Sequence, residues 1–249
     1  MDHQAVARFT RMRRRCLGRR VSTAASPTAH NFSFSGCGFL IPYHLGVAQE
    51  LQDAGYIQSR SRFAGASGGA IAALALAANV SMDDIHEETK AMARLCRSHG
   101  TFWKLEDRLR TVFHAKFGDL PVESLTHSRL TIATKKMWPR HATCLGTWAR
   151  RGTTLFRGEY QVDGGLITLV PEVQNYTKVC VFPGTIMRRK DYDISPSIDP
   201  DFPFSFLELL RFALFPPETD VLDQLFDLGR HRRGFGQRSK QRKWKDVLM

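Results

Sequence analysis

Gly65-Ala66-Ser67-Gly68-Gly69 is the stretch of this 249-residue chain best suited to covalent chemistry. A serine among glycines at this spacing suits a sharp strand-to-helix turn that lifts Oγ above a sheet, on strained backbone that only small neighbours tolerate. Such a hydroxyl attacks acyl carbonyls, and the partial positive charge at the N-terminus of the following helix favours the developing alkoxide. The plainer reading of the pentapeptide is a structural turn. It is weakened by what surrounds the pentapeptide: a strand pattern before it and an all-apolar helix pattern after it.

A tetrahedral intermediate also needs donors for its oxyanion. Gly36-Cys37-Gly38 offers a small-residue loop whose backbone N–H groups could supply them. The hydroxyl needs a base, and the nine His are scattered with no Ser-His-Asp order among them. Asp163 stands out because Gly164 and Gly165 follow it at the end of a strand pattern. A carboxylate within hydrogen-bond reach of Ser67 would take its proton directly, whereas the plainer reading is an Asp-Gly turn. Five Cys, odd in number, widely spaced and never in a CxxC pair, argue against a disulfide framework and a zinc site and fit a reducing compartment. No metal and no cofactor are expected.

The elements that must position these residues follow from periodicity. NFSFS at 31–35 alternates as a strand and runs into the Gly36 loop. Residues 42–54 have near-helical apolar spacing, with Gly55 as the C-terminal cap. A strand at 62–64 leads into the Ser67 turn, and residues 70–79, nearly all Ala, Ile and Leu, predict a buried helix. Surface helices are expected at 83–96 and 104–117, and strands at 130–134, 160–162 and 178–182. Residues 135–157 show no clear period and carry no assignment. Ser205 to Glu208 has capping-box spacing and opens a Phe- and Leu-rich helix to Phe215 that is expected to be core, and a last helix covers 221–228. Alternating strands and helices predict an α/β fold with a central, mainly parallel sheet flanked by helices.

The net charge of +12 is confined to the ends. Residues 1–30 hold seven Arg against Asp2, and residues 229–249 hold eight Lys or Arg against Asp246; removing these from the totals of 36 and 24 leaves 21 basic against 22 acidic residues between them. Basic ends suit an anionic membrane, nucleic acid or an import receptor, or are simply solvated. With a neutral centre and no binding fold, specific nucleic-acid recognition is not expected. No apolar run approaches a membrane span, and the Arg-rich start resembles either an organelle transit peptide or a disordered arm. The expected organisation is a basic arm at 1–30, a catalytic domain at 31–182, a helical extension at 183–228 and a basic tail at 229–249.

Phe34-Ser35-Gly36-Cys37-Gly38-Phe39-Leu40, Tyr43-His44-Leu45-Gly46-Val47, Gly65 to Gly69 and Arg157 to Gly165, in this order, resemble the patatin-like phospholipase family, and within it the adipose triglyceride lipase group. The likeness extends through Ala213-Leu214-Phe215-Pro216-Pro217-Glu218 and spans roughly residues 31–235. It implies a three-layer α/β fold and a Ser-Asp dyad, with Ser67 as nucleophile and Asp163 as general base. The N–H groups around Gly36, Cys37 and Gly38 would form the oxyanion hole. Substrates would be acylglycerols or phospholipids at a membrane or lipid-droplet surface, with a protein co-activator as partner. The compartment would be the cytoplasm at that surface, or a mitochondrion or other organelle if the Arg-rich start directs import. Two features depart from the family pattern: Ile41-Pro42 follows the loop where another Gly is usual, and only 96 residues separate Ser67 from Asp163. A second reading is therefore a catalytically weak relative that binds lipid surfaces or a lipase regulator.

Overall fold

A computed structural model describes residues 30–100, 105–118, 129–136, 153–156, 159–163, 169–183 and 192–230. The first strand, β1 (Phe32–Phe34), is buried throughout. Its one polar residue, Ser33, satisfies its hydroxyl by donating to the Pro171 carbonyl at 2.9 Å. A 3-10 turn (Gly38–Leu40) leads into α1 (Ile41–Asp53). The helix ends as expected at Gly55, with φ of 76° and the Tyr56 N–H returning to the Leu51 carbonyl. β2 (Phe63–Gly65) is followed by α2 (Gly68–Ala78), α3 (Met82–His99) and α4 (Leu105–Phe117).

β3 (Leu130–Ile132) and β4 (Thr134–Lys136) replace the single strand expected at 130–134. β5 (Thr153–Phe156) falls within the segment that periodicity left unassigned, and β6 (Glu159–Asp163) lengthens the strand expected at 160–162. β7 (Thr177–Val179) is shorter than the run expected at 178–182, and its last residue, Val179, also bridges to Ile194. A 3-10 turn (Pro196–Ile198), α5 (Phe206–Leu214) and α6 (Thr219–Gly229) complete the described chain. The arm at 1–29 and the tail at 231–249 lie outside the described residues.

Four strands form one parallel sheet in the order β3-β2-β1-β7, with Phe34 level with both Gly65 and Val179. Helices flank this sheet in a three-layer α/β fold. Every residue of β1 and β2 is buried, Ser33 included, as expected of strands covered on both faces. A second sheet, β4-β6-β5, is antiparallel. The core gathers Phe32, Phe34 and Phe63 from the sheet, Leu45 and Leu76 from α1 and α2, and Leu209, Leu225 and Phe226 from α5 and α6. The C-terminal helices thus share one core with the sheet.

One expectation is corrected in α5. Its capping box is present, with the Ser205 N–H donating to Glu208 Oε2 at 2.8 Å and the Glu208 N–H to Ser205 Oγ at 3.3 Å. Yet only Leu209 of the helix is buried, while Leu207, Leu210 and Leu214 are exposed. The helix is apolar around most of its circumference, so its sequence does not say which side faces inward.

Candidate active site

The turn from β2 into α2 puts Ser67 at φ 51° and ψ −128°. An L-residue rarely adopts this region, and strain of about 1–3 kcal/mol is stored there only where the surroundings enforce it. The enforcement is visible. The Ala66 N–H is held by the Phe34 carbonyl at 3.2 Å, and the Gly69 and Ala70 N–H groups donate to the Ala66 and Ser67 carbonyls, each at 2.9 Å. Gly69 brings the start of α2 against the end of β1, where a Cβ would lie 2.7 Å from the Phe34 carbonyl oxygen and closer still to that of Ser35. Ser67 is half-buried between buried neighbours.

The glycine loop lies against this turn. A Cβ on Gly68 would stand 2.7 Å from Cys37 Sγ and 2.9 Å from the Gly38 carbonyl oxygen. Gly38 has φ of 54° and is itself covered by the Ala213 carbonyl of α5. The loop's contribution to an oxyanion site is narrower than its sequence implies, because the Gly36 N–H donates to the Leu169 carbonyl at 2.6 Å. Gly68, as the first residue of α2, adds an N–H at a helix N-terminus that the motif alone did not single out. Pro42 sits in the first turn of α1, where a missing N–H costs no intrahelical bond, so the Ile41-Pro42 departure is accommodated by starting the helix there.

Asp163 ends β6, opposite Thr134 of β4. Thr134 follows Ile132 by two residues, and Ile132 is level with Gly65, two residues before Ser67. The Ala133 N–H donates to the Gly65 carbonyl at 2.9 Å, fastening this junction to the start of the serine turn. The backbone therefore carries Asp163 to the same carboxyl edge of the parallel sheet as Ser67. Gly164 and Gly165 lie outside the described residues.

His44, named in the sequence only as part of a motif, supports the loop from beneath. It is fully buried on α1, and its Nε2 lies 3.1 Å from both the Ser35 carbonyl oxygen and Ser35 Oγ. Burial pushes its pKa down to about 4, against the smaller opposing effect of the Ser35 backbone hydrogen bond, so the ring is neutral near pH 7. Cys180, also buried behind the loop, has its thiol pushed up to about 11, chiefly by burial. Cys37, Cys96 and Cys180 are buried thiols. Among the described residues, no group of three or more His, Cys, Asp or Glu side chains is placed to hold a metal ion.

Residues 32–152 match the family model for patatin-like phospholipases, a span that includes the Gly36 loop and Gly65 to Gly69 and stops short of Asp163. The chain is similar to human patatin-like phospholipase domain-containing protein 4, with 26% identity over 240 residues, covering 80% of this chain and 92% of that protein. It is also similar to patatin-like phospholipase domain-containing protein 2 of Rattus norvegicus, with 24% identity over 242 residues. There the alignment covers 81% of this chain and 49% of the relative, so the chain spans about half of that protein's length. No solved structure gives a significant match.

Proposed function

We propose, for a chain whose residues 32–152 match the family model for patatin-like phospholipases, the activity of a serine lipid acyl hydrolase working through a Ser67–Asp163 dyad. The observation that carries this reading is the backbone of Ser67, a non-glycine residue held at φ 51° between a parallel strand and a buried helix. Strain of this kind at a serine is the signature of an exposed nucleophile.

The Asp163 carboxylate accepts the Ser67 Oγ proton as Oγ attacks the ester carbonyl carbon. The C=O pair moves onto oxygen, and the N–H groups of Cys37, Gly38 and Gly68 stabilise it. Collapse of the tetrahedral intermediate breaks the ester C–O bond, and the alcohol leaves with the proton returned from Asp163. Water then loses a proton to Asp163 and attacks the acyl-serine, releasing the fatty acid and restoring the hydroxyl. The pairing of Asp163 with Thr134, itself anchored beside Gly65, supports this assignment.

Acylglycerols or phospholipids are the substrates in this reading, met at a membrane or lipid-droplet surface with a protein co-activator as partner. Cytoplasmic work at that surface fits the neutral centre, and import into an organelle would use the Arg-rich start. Labelling of the purified protein by a fluorophosphonate probe is the test. Label that disappears in Ser67→Ala and falls sharply in Asp163→Asn is the expected result, and no label on folded wild type would sink the reading. In that event the second reading, a lipid-binding relative without turnover, is favoured by the spacing of 96 residues between Ser67 and Asp163.

A further inference from the structure

The glycine loop is clamped on both sides of Gly36 and Cys37. Upstream, the peptide group joining Ser35 to Gly36 is fixed at both of its polar atoms. Its carbonyl oxygen lies 3.1 Å from His44 Nε2, and its N–H donates to the Leu169 carbonyl at 2.6 Å. Ser35 is itself tied into the sheet, its own N–H donating to the Val179 carbonyl at 2.9 Å. Downstream, the Cys37 carbonyl accepts from the Leu40 N–H at 3.0 Å. In a planar trans peptide the C=O and N–H point in opposite directions, so this bond turns the Gly38 N–H away from the 3-10 turn. Gly38 is exposed there between buried neighbours. Between the clamps lie only the soft dihedrals of Gly36 and Cys37, and glycine does little to restrict its own. The direction of the Gly38 N–H is therefore only as fixed as the Ser35 peptide behind it.

We propose that His44 and Ser35 are positioning residues for acyl transfer: the imidazole on the Ser35 carbonyl sets the pitch of the loop and so holds the Gly38 N–H in register with Ser67. The inference rests on the acyl-hydrolase reading and adds two side chains that touch no substrate but on which an oxyanion donor depends. Both residues are fully buried, so their hydrogen bond is made in a low dielectric and does not exchange with water. The Ser35 hydroxyl stands 3.1 Å from the same Nε2 and also meets the Cys180 thiol, so two oxygens of one residue hold the ring edge. Phe34 and Tyr43 fix the plane of the imidazole from its sides, with ring centroids 5.6 Å and 6.1 Å away. Ser61 provides the contrast. It is as deeply buried, but it precedes β2 at the amino edge of the sheet, where its hydroxyl accepts from the Gln58 N–H at 3.0 Å.

The test measures kcat and KM of the purified full chain on the soluble ester p-nitrophenyl butyrate. His44→Phe, which keeps a ring but no donor, should lower kcat about 10- to 100-fold with KM unchanged. His44→Gln keeps an N–H for the Ser35 carbonyl and should recover most of the rate, while Ser61→Ala should leave kcat at the wild-type value. Unchanged kcat in His44→Phe, equal losses in the Phe and Gln variants, or a like fall in Ser61→Ala would each overturn the proposal. If His44→Phe does not fold, Ser35→Ala must still lower kcat severalfold at constant KM. The loop is also read without turnover, through alkylation of Cys37 by iodoacetamide followed by mass spectrometry. A loosened loop exposes Cys37 alone, whereas global opening exposes the buried Cys96 of α3 as well. Cys37 should react at least about fivefold faster in His44→Phe with Cys96 unchanged, and a parallel rise at both thiols, or none at Cys37, overturns the proposal. Should wild type neither hydrolyse the ester nor take a fluorophosphonate label, only the hydrolase reading falls, and the Cys37 rate decides whether His44 sets the loop.

Discussion

His44 touches Ser35 twice, its Nε2 lying 3.1 Å from both the carbonyl oxygen and the hydroxyl of a residue that immediately precedes the glycine loop. The other ring nitrogen, Nδ1, is buried without a partner. A bare lone pair costs less there than a buried N–H, so the proton belongs on Nε2, which donates to the Ser35 carbonyl. That carbonyl also marks the closest approach of Gly69, so one imidazole braces the loop and the serine turn together.

His44 should make the fold acid-sensitive. Its pKa is depressed to about 4 in the folded protein from an ordinary 6.5, so the unfolded chain binds the extra proton first. The stabilisation is complete above pH 6.5 and is lost as pH falls towards 4, by on the order of 3 kcal/mol. Urea midpoints measured across this range should fall for wild type and fall less for His44→Gln. Equal slopes in the two proteins would remove His44 as the cause.

Ser67→Gly should separate stability from activity. Glycine adopts positive φ without penalty, so relief of the strain at φ 51°, set against the greater freedom of an unfolded glycine, should leave a net gain of roughly 0.5–1 kcal/mol. Probe labelling should vanish. Chemical denaturation of the two proteins side by side checks this, and a less stable glycine variant would mean that the turn is not strained.

How much of this could be seen without coordinates depends on how local each signal is. The serine turn was legible because its glycines, its strand and the apolar α2 adjoin one another in the chain, and the Ser205–Glu208 box because capping is a contact across three residues. β5 was not, since among the described residues it pairs with β6 alone and Lys135 to Arg157 carries no period to announce a hairpin. The bridge of Val179 to Ile194 and the loss of Gly36 as a donor to Leu169 both join segments that only the tertiary fold brings together. The exposed face of α5 was hidden for the opposite reason: seven of its nine residues are apolar, and Glu208 and Arg211 mark only one narrow side, so the sequence does not show that Leu207, Leu210 and Leu214 face outward.

Gly68→Ala should damage the loop more than the fold. The new methyl would meet Cys37 Sγ at 2.7 Å, the Gly38 carbonyl oxygen at 2.9 Å and Ile41 Cγ1 at 3.0 Å, and the loop would have to move to admit it. Displaced oxyanion donors cost about 100-fold or more in rate. Cys37→Ala removes the nearest of these atoms, so the double variant should label faster than Gly68→Ala alone. Additive losses in the pair, read from labelling rates, would mean that the loop and the turn do not communicate through this contact.

The seam between α3 and α6 is held by Asp223. His86 stacks on Phe226 with ring centroids 4.5 Å apart, and its Nε2 lies 2.7 Å from Asp223 Oδ1. Lys90 reaches the same oxygen at 2.9 Å while also pairing with Glu87 at 2.6 Å. Burial of Asp223 opposes its ionisation, but the hydrogen bonds from Lys90 and His86 outweigh it and hold the carboxyl below its usual range. A depressed carboxylate stabilises the fold above its unfolded pKa, and this contribution is lost as pH falls through the folded value. Asp223 is half-exposed, so screening keeps the Coulombic part small. The larger cost of Asp223→Ala is the orphaned imidazole: His86 is buried, its Nδ1 has no partner, and losing the Nε2 bond leaves both ring nitrogens unsatisfied. We expect a loss of about 1–3 kcal/mol for Asp223→Ala and roughly half of that for Asp223→Asn, whose amide oxygen still accepts. Thermal melts of the two variants at pH 7 decide it. Equal losses would mean that charge, not the hydrogen bond to His86, holds the seam.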